Sequence, residues 1–211
     1  MLYYLVELAI TFGVCLVSQY VEAFRNFQLE YWWVMFFPLI LLVVTVIVAC
    51  CVESARKPPL DLVMLLVFVL SFSYLVSMSC SAVVDVVDGP IVPLAIGATV
   101  GITFLLTLYA FFCKGNFVIM IGIVIVLIPV LIVLCLMSFF FYLPWLTVAI
   151  CSIAIVIFGI YLVFITKMII GGEMEGFPLD TAILASLFLY IYTMRIFLYI
   201  LMILGAGGGR K

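Results

Sequence analysis

The sequence predicts an all-α integral membrane protein with seven transmembrane helices, and three observations carry that expectation. Of 211 residues, 70% are hydrophobic and 9% are charged, where soluble domains have roughly 45–50% and about 25%. The mean hydropathy is +1.58. The apolar residues fall into runs of about 20, the length that crosses a bilayer as a helix, and charged residues, Pro and Gly separate the runs. Seven such runs need roughly 140 to 170 positions at about 20 residues or slightly more each, which leaves short turns and no room for a soluble domain.

The first run covers about residues 2–20. No basic stretch precedes it and Glu7 lies inside it, so a retained helix is expected rather than a cleaved signal. The polar stretch 22–30 ends it. The second run, 31–51, opens on Trp32 and Trp33, whose amphipathic rings suit the headgroup level. Glu53, Arg56, Lys57, Pro58 and Pro59 then make a turn, and Asp61 puts a carboxylate at the start of the third run, 60–80, where a helix N-terminus favours one. Asp85, Asp88, Gly89 and Pro90 form an acidic turn. The fourth run, 91–113, holds Gly97 and Gly101 at the four-residue spacing that lets helix backbones approach, so these two are the helix-packing candidates.

Lys114, Gly115 and Asn116 lead into the fifth run, 117–140, where Pro129 is expected to kink the helix. A tight connection at Leu143 and Pro144 precedes the sixth run, 145–170. A loop with Gly171, Gly172, Glu173, Glu175, Gly176 and Pro178 leads to the seventh, 180–204, and a short tail follows. Arg56, Lys57, Lys114 and Lys167 fall on one side of this arrangement and Arg25 on the other, which favours a cytosolic N-terminus. Seven crossings put Arg210 and Lys211 on the far side, whereas a re-entrant last helix returns them, so the exit side stays open.

The chain has no His, which removes imidazole as a base or metal ligand. With no paired intramembrane Asp and no GxSxG or HExxH pattern, no enzyme, cofactor or metal site is expected. The seven Cys are odd in number, lie in or at the ends of apolar runs and include no CxxC pair, so they are expected to be small packing residues. The net charge of −2 gives no reason to expect a nucleic-acid partner; the expected partner is the lipid bilayer.

A charge at membrane depth costs about 2.5–3.5 kcal/mol on the insertion scale, so each is a functional candidate. Arg195 is the deepest, fifteen residues into the seventh run, or about 22 Å along a helix. Either its stem snorkels to an interface, or it faces the bundle interior and pairs with a carboxylate, Glu7 or the Asp85 and Asp88 turn. Lys167, at the end of the sixth run, is expected to snorkel.

The order of motifs resembles the Bax inhibitor and Lifeguard family of membrane proteins, nearly end to end. The resemblance rests on VELAITFG at 6–13, on Cys50 and Cys51 followed by Arg56 to Pro59, on LDLVMLLVFVLSFSYLVSM at 60–78, on YLVFITKMIIGG at 161–172 and on IFLYILMILG at 196–205. It implies six helices wrapped around a central C-terminal seventh. It also implies residence in endoplasmic reticulum or Golgi membranes, release of calcium from those stores, and suppression of cell death alongside other membrane proteins of cell-death pathways.

The family's mechanism is thought to use two aspartates, one in the sixth helix within a pattern like LVYDTQ and one in the seventh within LYLDIIN. Here the first position is Ile165 and the second is Tyr192. A dehydrated calcium ion needs several oxygen ligands with negative charge. Ile and Tyr at those places, with Arg195 and Lys167 nearby, predict a leak that is weak, absent or insensitive to pH. Ile165, Tyr192, Arg195, Glu7 and Lys167 are thus the pore or gating candidates.

Overall fold

The computed structural model describes residues 2–51, 60–87, 89–112, 117–140, 144–170 and 180–207. Eight α-helices occupy them: α1 Leu2–Tyr20, α2 Glu22–Glu30, α3 Phe36–Cys51, α4 Leu60–Val86, α5 Ile91–Phe112, α6 Phe117–Phe140, α7 Pro144–Ile170 and α8 Asp180–Gly207, with a 3₁₀ turn at Trp32–Met35 between α2 and α3. The expectations for Arg56, Lys57, Asp88, Cys113, Lys114, the loop 171–179, Arg210 and Lys211 lie outside the described residues.

Among the described residues, five helices are long and apolar enough to cross a membrane: Tyr3–Tyr20, Leu60–Val86, Ile91–Phe112, Trp145–Ile169 and Ala185–Gly207. A sixth crossing is added if α2 and α3, which meet at 86°, count as one broken span. The helix α6, Phe117–Phe140, is 24 residues long and apolar throughout. Five to six candidate crossings thus stand among the described residues.

Three boundaries differ from the sequence reading. The polar stretch 22–30 is a helix, because Gln28 turns inward and is fully buried against α4. The second run begins as a 3₁₀ turn and becomes α-helical at Phe36. The third helix continues past Cys80 to Val86 and takes Asp85 into its last turn, since Ser81 and Val84 still have neighbours to pack against and no breaker occurs before Gly89. That glycine has φ +119°, a conformation side-chain-bearing residues rarely adopt. Gln19 at the end of α1 fixes the turn: its amide Nε2 donates to the Gly89 carbonyl at 3.0 Å, and its Oε1 accepts the Val92 N–H at 3.0 Å. Pro93 and Pro38 lie in first helical turns and Pro144 opens α7, positions where the missing N–H costs nothing.

Paired contacts give the directions of the helices. Glu7 meets Ser186 and Thr11 meets Tyr190, each 179 residues apart, so α1 and α8 run parallel. Ser73 and Tyr190 share Thr11 as partner, and Val83 lies against Gly205, so α4 runs parallel to both. Tyr161 stacks on Tyr192 and Phe158 on Tyr199, so α7 is antiparallel to α8.

The last helix is central, and it has the most buried of the five spans. It packs against α1, α4, α5 and α7, while among the described residues α3 packs mainly on α4 and α6 on α7. Among the described residues, four helices thus pack directly on α8. The outer two are apolar and largely exposed, as at Ile40, Ile47, Val126 and Val133, and lipid suits such surfaces as well as protein does. Tyr190, Met194, Ile196 and Phe197 of α8 are fully buried and join the main core to a second cluster around Phe68 and Val69.

Candidate functional site

On α1 the buried described residues are Glu7, Thr11, Cys15 and Ser18. Their spacing of four, four and three follows the helical period, so they form one face. Leu5, Val6 and Val17 point outward. The helix is inverted relative to one in a soluble protein: lipid accepts the apolar side, and every polar group has to be satisfied inside. On α4 the same rule turns Ser73, Ser77 and Ser81 inward, and on α8 Ser186, Tyr190 and Thr193.

These three faces meet in a buried polar seam. Near its start the Ser186 hydroxyl donates to Glu7 Oε1 at 3.2 Å and also lies 2.9 Å from the Ile183 carbonyl. A single hydroxyl proton serves one of these acceptors at a time. Glu7 is 3% exposed, and its Oε2 has no hydrogen-bond partner. One turn further, the Thr11 hydroxyl lies 2.8 Å from both the Ser73 and the Tyr190 hydroxyls and donates to the Glu7 carbonyl at 2.9 Å, while Ser73 donates to the Val69 carbonyl at 2.6 Å. Tyr4 reaches across to the Thr193 hydroxyl at 2.9 Å. Cys15 and Cys80, both fully buried, continue the seam. At its far end Gln28 of α2 accepts from Ser81 at 2.6 Å and donates to Ser77 at 3.2 Å.

The other side of α8 is built differently. Tyr192 stacks on Tyr161 with ring centroids 5.5 Å apart and planes 2° from parallel, and Phe158 stacks on Tyr199 at 5.7 Å. The Arg195 guanidinium sits over the Phe158 ring, 5.8 Å from its centroid. Arg195 is exposed, and an ion pair at 3.9 Å joins Arg25 to Glu22 on α2.

The buried pairing of Arg195 with Glu7 is therefore not made. The reason is angular: Ser186 faces Glu7, and Arg195 lies nine residues further on, or about two and a half turns, which puts it on the opposite side. Asp85 is no partner either; it is exposed at the end of α4, level with Gly205 and well beyond Arg195. Among the sequence candidates, Tyr192 and Arg195 come together on the Phe158 ring. Glu7 stands apart from them in the seam. Ile165 is half-buried against the main core, and Lys167 is half-buried in the last turn of α7.

Gly97 and Gly101 face outward, and a methyl group added at either would meet nothing within 4 Å. Among the described residues, no helix uses them for a close approach. The glycines that do lie at helix contacts are Gly159, 3.2 Å from Leu106, and Gly205, 3.0 Å from Val83, measured from an added Cβ. Ser73, Ser186, Tyr190 and Gln28 are seam residues absent from the sequence candidates. The four-residue spacing of Ser73, Ser77 and Ser81 was a usable signal for the first; Gln28 in its polar stretch offered none.

No group of three or more His, Cys, Asp or Glu able to hold a metal ion occurs among the described residues. A cavity of about 410 Å³ between α5, α6 and α7 is lined by Ile, Leu, Val and Gly, with Tyr109 as the one residue bearing a side-chain polar atom; it is an apolar gap remote from the seam. Cys15, Cys80, Cys135 and Cys151 are free thiols, all buried but Cys135. Residues 1–209 match the family model described as Inhibitor of apoptosis-promoting Bax1, and the chain, helical and with several membrane-crossing segments, belongs to this Bax inhibitor family.

Proposed function

We propose that the chain is a non-enzymatic regulator of intracellular-store calcium and of cell death in endoplasmic reticulum or Golgi membranes, and that its own calcium leak is weak and insensitive to pH. The observation that carries this reading is the separation of acid from the family's acidic positions. The resemblance puts Ile165 and Tyr192 at those positions, and Tyr192 is stacked flat on Tyr161. Glu7, the one buried carboxyl among the described residues, faces the opposite side of α8 through Ser186. Calcium takes six to eight oxygen ligands, several of them carboxylate, and the seam supplies one carboxyl with a single free oxygen. Hydroxyls such as Thr11, Ser73 and Tyr190 already satisfy one another. Calcium efflux from vesicles carrying the purified chain, followed from about pH 6 to 8 where a shared carboxylate proton titrates, tests the reading. Slow efflux with a flat pH profile is expected; brisk efflux that changes with acidification overturns it.

A second reading, a non-conducting protein that affects cell survival by binding other membrane proteins, is favoured by the exposed position of Arg195 on α8. A stable co-purifying partner together with no measurable ion flux separates it from the first.

A further inference from the structure

Arg195 lies ten residues after Ala185 and twelve before Gly207, the limits of the last span. That is about 15 and 18 Å along the helix, so its charge sits close to the middle of the bilayer. Its side chain is on the outside of the bundle, in line with Phe188, 42% exposed, and Met202, 47% exposed, seven residues to either side. A guanidinium in this place costs about 2.5–3.5 kcal/mol on the insertion scale. The Phe158 ring beneath it returns about 2 kcal/mol as a desolvated cation–π contact, and it occupies one face of the group. The five N–H donors of the fork have no hydrogen-bond acceptor among the described residues.

The geometry points to a docking surface: the outer face of α8 around Arg195 receives a transmembrane helix of another protein that carries an Asp or Glu near its middle. Three arguments fix the occupant. A carboxylate matches the guanidinium fork in charge and shape, and only a side chain of a second helix presents one at this depth. Lipid phosphates stay at the headgroup level, 15 Å or more from Arg195 along α8 by the same helical rise. A second copy of this chain has no acid to offer: of its ten Asp and Glu, Glu7 is buried in the seam and the rest lie at helix ends or between the apolar runs. The stacked pairs Tyr161–Tyr192 and Phe158–Tyr199 form a stiff wall beside the site. The surface deepens the partner-binding reading and makes no use of calcium.

The test uses the full chain, labelled with a fluorescence acceptor, in phosphatidylcholine vesicles with donor-labelled Leu-rich transmembrane peptides bearing Asp or Leu at the central position. The Asp peptide is expected to associate about tenfold more tightly than the Leu peptide, the scale of a strong interhelical polar contact. Arg195→Gln removes the difference, and Arg195→Glu transfers the preference to a Lys-bearing peptide. Equal binding of the two peptides by the unsubstituted chain, or a preference that survives Arg195→Gln, overturns the proposal. So does selective enrichment of spin-labelled phosphatidylserine beside the unsubstituted chain without any preference for the Asp peptide. Calcium efflux from the same vesicles is read separately, so failure of the docking surface and failure of the leak assignment are distinguishable.

Discussion

The two sides of α8 solve the same problem in opposite ways. Facing α1 and α4, Ser186, Tyr190 and Thr193 are buried and bonded to Glu7, Thr11 and Tyr4. Facing outward beside α7, Tyr192 and Tyr199 are half-buried in ring stacks, and Arg195 is exposed with an aromatic ring as its nearest support. The inward side shows that a membrane bundle can be held by polar contacts as well as by apolar packing, because lipid offers those groups nothing else. The outward side carries a charge that has no carboxylate partner among the described residues. Stability belongs to the first side, and the proposed docking surface to the second.

That division can be broken at the inward side most severely. Tyr190 is fully buried, touches Phe72 edge-on and bonds Thr11. Tyr190→Ala is expected to cost about 3–5 kcal/mol, the range for emptying a large aromatic site, measured by reversible unfolding in mixed micelles. A cost below about 1 kcal/mol on that scale would remove the seam as a structural element. On the outward side the sign reverses. Arg195→Leu is expected to favour membrane insertion of segment 185–207 by about 3 kcal/mol, read as the inserted fraction in a translocon assay, and to leave the unfolding of the full chain little changed. Strong destabilisation of the full chain would mean that Arg195 holds the bundle together.

The glycines sharpen the same contrast. At Gly205 a Cβ meets Val83 at 3.0 Å, so Gly205→Val is expected to cost about 1–3 kcal/mol by overpacking. Gly97→Val is expected to stay within about 0.5 kcal/mol, because nothing lies within 4 Å of it. Equal effects at the two sites would contradict the packing of α8 against α4. A small effect also belongs to Tyr190→Phe, which keeps the ring and removes its bond to Thr11. About 0.6 kcal/mol is expected, the mean for interhelical hydrogen bonds in membranes, again by unfolding.

Most of the architecture was legible in the sequence, because bilayer crossing is a matter of length and hydropathy, and both are local. The first helix has the expected bounds, 2–20, and the fifth run keeps 117–140. The fold of 22–30 was not legible: Gln28 is drawn into a helix by Ser77 and Ser81, about fifty residues away in the chain. Gly97 and Gly101 show the same limit from the other side, since a four-residue spacing places two glycines on one face without saying what that face meets. Glu7 was visible as an oddity in an apolar run. Its partner was not, because Ser186 is 179 residues distant, and the charge of Arg195 offered a more obvious but geometrically excluded match.

Calcium efflux, compared between the unsubstituted chain and the double variant Ile165→Asp with Tyr192→Asp in matched vesicles, reaches the central claim most directly. The unsubstituted chain is expected to leak slowly and equally across about pH 6 to 8, and the variant, with carboxyls restored at the two positions the resemblance marks as acidic, to gain a leak that acidification changes. An unsubstituted chain that already leaks as fast as the variant, with the same response to acid, contradicts the account.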